Sequence, residues 1–191
     1  MVDFDQASSR IGTYAEKWDK RQEVFGDGTV LPMWVADTDF DAPEAIQDAL
    51  ITRIRQAPMG YTFIPEAFDQ AIVDWYATRH GIMIAPEEIV ANATVMSSMN
   101  LLIQALTSRH DQVLMFDPVY FPFFNTVTQL DRRPLMLPLE TSASGFAVNF
   151  DRLESLVKTQ RPKLMLLCNP HNPGGKVWDR DTLVHIGAMM A

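Results

Sequence analysis

Hydrophobic and polar positions follow two rhythms in this chain, and the change falls near Pro86. Before it, apolar residues recur at helical spacing; after it, short solid apolar runs alternate with helical stretches. Ala45, Ile46, Ala49, Leu50 and Ile54 stand three and four apart behind Asp41-Ala42-Pro43, which places Pro43 in the first turn of a predicted helix. A loop over 57–64, holding Gly60-Tyr61-Thr62, separates it from a second helix opened by Pro65. In that helix Phe68, Ala71, Ile72, Trp75 and Tyr76 form one stripe expected to face a core, and Arg79-His80-Gly81 reads as its end. Residues 1–40 show little periodicity beyond a short helical piece around 13–21 and an apolar stretch at 31–35, so an arm is expected there.

Beyond Pro86 the pattern predicts strands over 89–93, 112–116, 135–139 and 163–168. Helices are predicted over 95–106, 120–130, 150–157 and 182–190, the first with Leu101, Leu102, Ala105 and Leu106 packing inward. Strand and helix in alternation point to an α/β fold with a mostly parallel sheet flanked by helices.

Composition narrows the function classes. At 191 residues, 47% hydrophobic and 21% charged, the chain suits one well-buried globular domain, with or without a small appendage. A net charge of −8 argues against a nucleic-acid partner, which requires a basic face. No apolar run approaches the roughly 20 residues of a membrane span. The acidic start Met1-Val2-Asp3-Phe4-Asp5 is unlike a signal peptide, so a cytoplasmic location is expected. Cys168, the single cysteine, allows no internal disulfide and reads as a buried structural thiol. His80, His110, His171 and His185 lack metal-ligand spacing; each reads as a surface or helix-end residue, and no metal site is expected. Gly26-Asp27-Gly28 has no third glycine and follows no strand, which disfavours a dinucleotide fingerprint.

Chemistry concentrates in three turns at the ends of predicted strands. In Thr94-Val95-Met96-Ser97-Ser98 a strand gives way to a helix, whose free amides and positive end suit a phosphate, although Thr94 also fits an ordinary N-cap. In Asp117-Pro118-Val119-Tyr120 a proline-held loop presents an aromatic ring, either to stack on a planar ligand or to pack inside. Asn169-Pro170-His171-Asn172-Pro173-Gly174-Gly175 is a stiff turn after an apolar run, with Asn172 fixed between prolines and able to offer its amide to a ligand oxygen. Open α/β sheets place ligands at such carboxyl ends.

These segments carry a resemblance. Arg10-Ile11-Gly12-Thr13, Lys17-Trp18-Asp19 and the run from Leu31 through Trp34-Val35-Ala36-Asp37 to Phe40 are similar to the opening of bacterial C–S β-lyases. That group is the cystathionine β-lyase and maltose-regulon modulator branch of aminotransferase class I/II. Gly60-Tyr61, Asp117-Pro118-Val119-Tyr120 and Asn169-Pro170-His171-Asn172-Pro173 continue the match along the whole chain. The resemblance implies a fold-type-I transferase of pyridoxal 5′-phosphate (PLP), with residues 1–40 as an N-terminal helical arm and 41–191 as the first part of the large, PLP-binding domain.

It further implies that Thr94, Val95 and Met96 hold the cofactor phosphate, Tyr120 stacks on its ring and Asn172 bonds O3′. Tyr61 would reach a neighbouring subunit's phosphate in a homodimer, and Trp34, Val35, Ala36 and Asp37 would line the substrate side. Gly174-Gly175 departs from the Thr-Gly usual in relatives and is expected to loosen the turn. Lys17, Lys20, Lys158, Lys163 and Lys176 stand in no context like the family's Schiff-base lysine, so a truncated large domain without catalytic residues is expected. The implied reaction is cleavage of cystathionine or a cysteine S-conjugate to thiol, pyruvate and ammonia. An aminotransferase on the same fold, or a non-catalytic truncated or regulatory product, are the alternatives.

Overall fold

The computed structural model describes residues 3–56, 58–142 and 145–191, so Met1 and Val2 of the expected non-signal start and Ala57 of the expected loop lie outside it. Two compact units divide the chain, Met1–Ala71 and Ile72–Ala191, with the division inside a helix.

In the first unit the helical piece expected around 13–21 is two short helices, α1 (Glu16–Asp19) and α2 (Arg21–Phe25), broken at Lys20. Gly26, at φ +72°, closes α2 in a conformation that favours glycine. Pro43 is not in the first turn of α3 (Glu44–Arg55): it is the N-cap, at ψ 138°, and its carbonyl accepts the Ile46 and Gln47 amides.

The three arm motifs converge on Asp39. Its carboxylate accepts from Lys17 Nζ at 2.8 Å, Trp18 Nε1 at 2.7 Å and Arg10 Nη1 at 3.4 Å. Arg10 also pairs with Asp37 at 2.7 Å, and Lys17 Nζ donates to the Asp37 carbonyl at 3.0 Å. The Lys17 hydrogen bond, then that of Trp18, holds the Asp39 carboxyl below the usual carboxylate range.

Helix α4 (Glu66–His80) crosses the division and ends at Gly81, φ +65°. Its predicted core stripe is largely exposed, with Trp75 at 55%; Arg79 lies over the Trp75 ring and His80 against Tyr76, both from the same helix. The strand expected over 89–93 is absent. Ile89 has extended dihedrals, but a run so short becomes a strand only when a neighbour takes its hydrogen bonds, and none of the described residues does.

The second unit is built on β1 (Gln112–Asp117). It pairs in parallel with β2 (Arg133–Pro138) on one side and with a later strand, Leu164–Leu166, on the other. Alternate β1 residues enter different cores. Val113 and Met115 pack with Met99 and Ile103 of α5 (Val95–Leu106) and Val127 of α6 (Phe121–Gln129). Leu114 and Phe116 pack with Leu153 of α7 (Phe150–Gln160) and Ile186 of α8 (Arg180–Met190), together with Trp178. Helices on both faces explain why β1 is solidly apolar.

Helix α5 has the expected bounds but the opposite phase. Met96, Met99 and Ile103 face inward, while Leu101, Leu102 and Leu106 are more than half exposed and Ala105 is exposed. A hairpin, β3 (Glu140–Ser142) with β4 (Gly145–Ala147), was not foreseen from the sequence pattern; Leu164–Leu166 is therefore β5.

Candidate functional site

Thr94 caps α5: its Oγ1 accepts the Ser97 amide at 3.0 Å and its carbonyl accepts the Ser98 amide at 3.1 Å. The Val95 and Met96 amides have no acceptor among the described residues. Helix geometry directs such amides out of the N-terminus, where the aligned peptide dipoles add positive potential. A hollow of about 430 Å³ opens beside them, lined by Met96, Ser97, Asn100, Leu101 and Thr126.

Five residues link the end of α5 to the start of β1, so the helix returns along the strand and its N-terminus lies at the sheet's carboxyl edge. There Val119, just past β1, packs in the same apolar cluster as Met96. Tyr120 is 38% exposed, with its ring at 5.5 Å from Phe121 and 6.0 Å from Phe123. It is steadied by these two rings rather than buried in the core.

The third turn, after β5, closes on itself. His171 and Lys176 form a bridge, with the His171 amide 2.7 Å from the Lys176 carbonyl and the Gly175 amide 2.6 Å from the His171 carbonyl. The Asn169 side chain accepts the Trp178 amide at 3.1 Å, and Trp178 Nε1 donates to the Cys168 carbonyl at 3.1 Å. Cys168 is half-buried and polar in its contacts, not a buried structural thiol: Sγ lies 3.2 Å from the Pro170 carbonyl and accepts the Asn172 amide at 3.4 Å. Asn172 is thus held by its backbone, while its exposed carboxamide has no partner among the described residues.

Two sequence expectations about this turn are corrected. His171 is only 1% exposed, enclosed by Phe116, Phe146 and Trp178, with Nε2 2.8 Å from the Pro118 carbonyl. It is no surface residue, and it joins the Asn172 turn to the Tyr120 loop. Gly174 does not loosen the turn: an added Cβ would collide with the Phe146 ring, which the missed hairpin lays over it. Sequence offered no sign of Phe146; for His171, its place between two Asn-Pro pairs was the one cue.

Thr94, Val95, Met96, Tyr120 and Asn172 therefore belong to loops gathered at one edge of the sheet in the second unit, through the apolar cluster that Met96 and Val119 both join and the His171–Pro118 bond. The first unit holds the others. Tyr61 is fully exposed; Trp34 is 38% exposed, with Nε1 3.2 Å from the Lys17 carbonyl. Val35 is half-buried, Ala36 is exposed, and Asp37 is committed to Arg10 and Lys17.

The sequence profile of the family Aminotransferase class I and II matches residues 35–191. The chain is 39% identical over 188 residues to the cystathionine β-lyase PatB of Bacillus subtilis (strain 168), an alignment covering 98% of this chain and 49% of that protein. Among solved structures, cystalysin from Treponema denticola, which contains a PLP cofactor, superposes with a TM-score of 0.90 at 29% identity, covering 99% of this chain and 48% of that one. The PLP-bound C–S lyase from Staphylococcus hominis gives 0.89 at 28% identity, with 98% and 48% covered. The chain spans about half the length of the curated relatives it matches.

Proposed function

This chain belongs to the aminotransferase class I and II family, and from that premise we propose that it forms the cofactor-cradling part of a PLP-dependent C–S β-lyase. The observation that carries the reading is the gathering of three loops at one carboxyl edge of a parallel sheet, each offering a different chemistry. The donor set fits the cofactor. Two unpaired helix-terminal amides suit a phosphate, a half-exposed phenol ring suits a planar heterocycle, and an unpaired carboxamide suits a ring oxygen.

When bound, PLP supplies an electron-withdrawing ring that stabilises charge released at an amino acid's α-carbon. The chain's own residues anchor and orient it. Thr94 keeps the first turn of α5 closed, so that the Val95 and Met96 amides stay aimed at the phosphate. Tyr120 would cover one face of the ring. Asn172 would donate from its Nδ2 to the ring oxygen, from a backbone that its amide bond to Cys168 Sγ tethers.

The lyase branch, with cystathionine or a cysteine S-conjugate split to thiol, pyruvate and ammonia, is supported by the PatB relative and the arm motifs around Asp39. Trp34, Val35, Ala36 and Asp37 are assigned to the substrate side by resemblance. The full exposure of Tyr61 suits a tyrosine that serves a second subunit of a homodimer. The same proposal carries a cytoplasmic role in amino-acid metabolism, with residues 1–40 as the arm.

Equilibrium dialysis of the 191-residue chain against PLP tests the reading. Saturable one-to-one binding is expected, weakened roughly tenfold or more by Asn172→Ala through loss of a charge-assisted bond. The chain alone is expected to release no pyruvate from cystathionine above a PLP-only control. Absence of saturable binding overturns the assignment.

A further inference from the structure

The cofactor reading makes no use of His171, a polar ring sealed among Phe116, Phe146 and Trp178. Its Nε2 lies 2.8 Å from the Pro118 carbonyl oxygen. A carbonyl only accepts, so Nε2 carries the hydrogen. Nδ1 is then a bare acceptor, buried and without a partner among the described residues. An orphaned buried nitrogen is destabilising, and a phenylalanine would fill an aromatic box without it. Packing therefore does not explain a histidine here; the Nε2 bond does. That bond spans two loops, since Pro118 stands two residues before Tyr120 and His171 directly before Asn172.

We propose that His171 is a positioning residue whose bond to Pro118 locks the Asn172 turn to the Tyr120 loop, fixing a carboxamide donor and an aromatic plate in one relative orientation. The proposal uses the PLP reading only for the identity of the ligand that the two groups share. The lock itself is a property of the chain's own loops.

The test uses the 191-residue chain with two variants. His171→Phe keeps a ring and strands the Pro118 carbonyl, whereas His171→Gln keeps an N–H of similar reach. Two-bond proton–nitrogen spectra of the parent chain are expected to show His171 as the Nε2–H tautomer; the Nδ1–H tautomer overturns the lock. Hydrogen exchange is read at Gly175 in the Asn172 turn and at Leu139, which follows β2 and whose amide bonds the Asp117 carbonyl at the start of the Tyr120 loop at 2.8 Å.

In His171→Phe both amides are expected to exchange about tenfold faster and PLP to bind about tenfold more weakly. His171→Gln is expected to recover both. Parent-like exchange at both amides in the phenylalanine variant overturns the proposal. Unchanged PLP affinity with faster exchange removes the positioning role and leaves the cofactor reading intact. Faster exchange in the phenylalanine variant, with a parent chain that fails to bind PLP, leaves the lock and removes the cofactor reading. Should the phenylalanine variant fail to fold, the parent's tautomer and the glutamine variant's exchange decide the matter.

Discussion

Alanine at Gly174 separates two reasons for glycine that stand side by side. An added Cβ at Gly174 falls inside the van der Waals envelope of Phe146 Cδ2 and Cε2, whereas one at Gly175 meets nothing within 4 Å. Gly175 instead has φ +63°, a backbone region that side chains penalise. Phe146 has little freedom to retreat, since its ring lies 6.3 Å from that of His171 and packs against the Leu114–Phe116 core. Overpacking of this kind costs about 1–3 kcal/mol. For a chain of this size ~2 kcal/mol lowers Tm by roughly 4–8 °C.

The assay is a double-mutant cycle by thermal or urea unfolding. Gly174→Ala is expected to be destabilising in the parent chain and nearly neutral, within about 0.5 kcal/mol, once Phe146→Ala has removed the ring. Gly175→Ala, at about 1 kcal/mol, is expected to cost the same in both backgrounds. A Gly174→Ala penalty that is absent in the parent, or that survives Phe146→Ala, would show that the Phe146 ring is not what excludes a side chain at Gly174.

Asp39 carries a pH prediction. Its folded carboxyl titrates below the unfolded value of ~3.9, so its contribution is complete above that value and is lost as pH falls through the folded pKa. The Trp18 indole N–H resonance is expected to collapse along that acid limb, and Asp39→Asn to remove the limb; an identical limb in the variant contradicts this. Thr94→Val is expected to destabilise the second unit by about 1 kcal/mol through the lost Ser97 bond, with Thr94→Ser near neutral; melting curves decide, and a neutral valine would contradict the cap.

Local signals were legible in the sequence and non-local ones were not. The Thr94 start of α5 is visible because a cap is made by residues three apart. Strand β1 is visible because helices on both faces leave every interior position apolar. The inward face of α5 is illegible, since apolar residues occupy most of its circumference and period alone cannot choose among them. Residues 89–93 mislead because a strand is a property of two segments. His171 misleads for a similar reason: its burial is imposed by Phe146 and Trp178, and neither the hairpin nor the return of Trp178 under the turn leaves a periodic trace.

Addition of PLP to the isotope-labelled chain, followed by backbone and side-chain NMR shifts, tests whether the three loops share one ligand. Thr94, Val95, Met96, Tyr120 and the Asn172 carboxamide are expected to shift together along one saturation curve. Shifts confined to one of the three loops, or centred elsewhere in the chain, would contradict it.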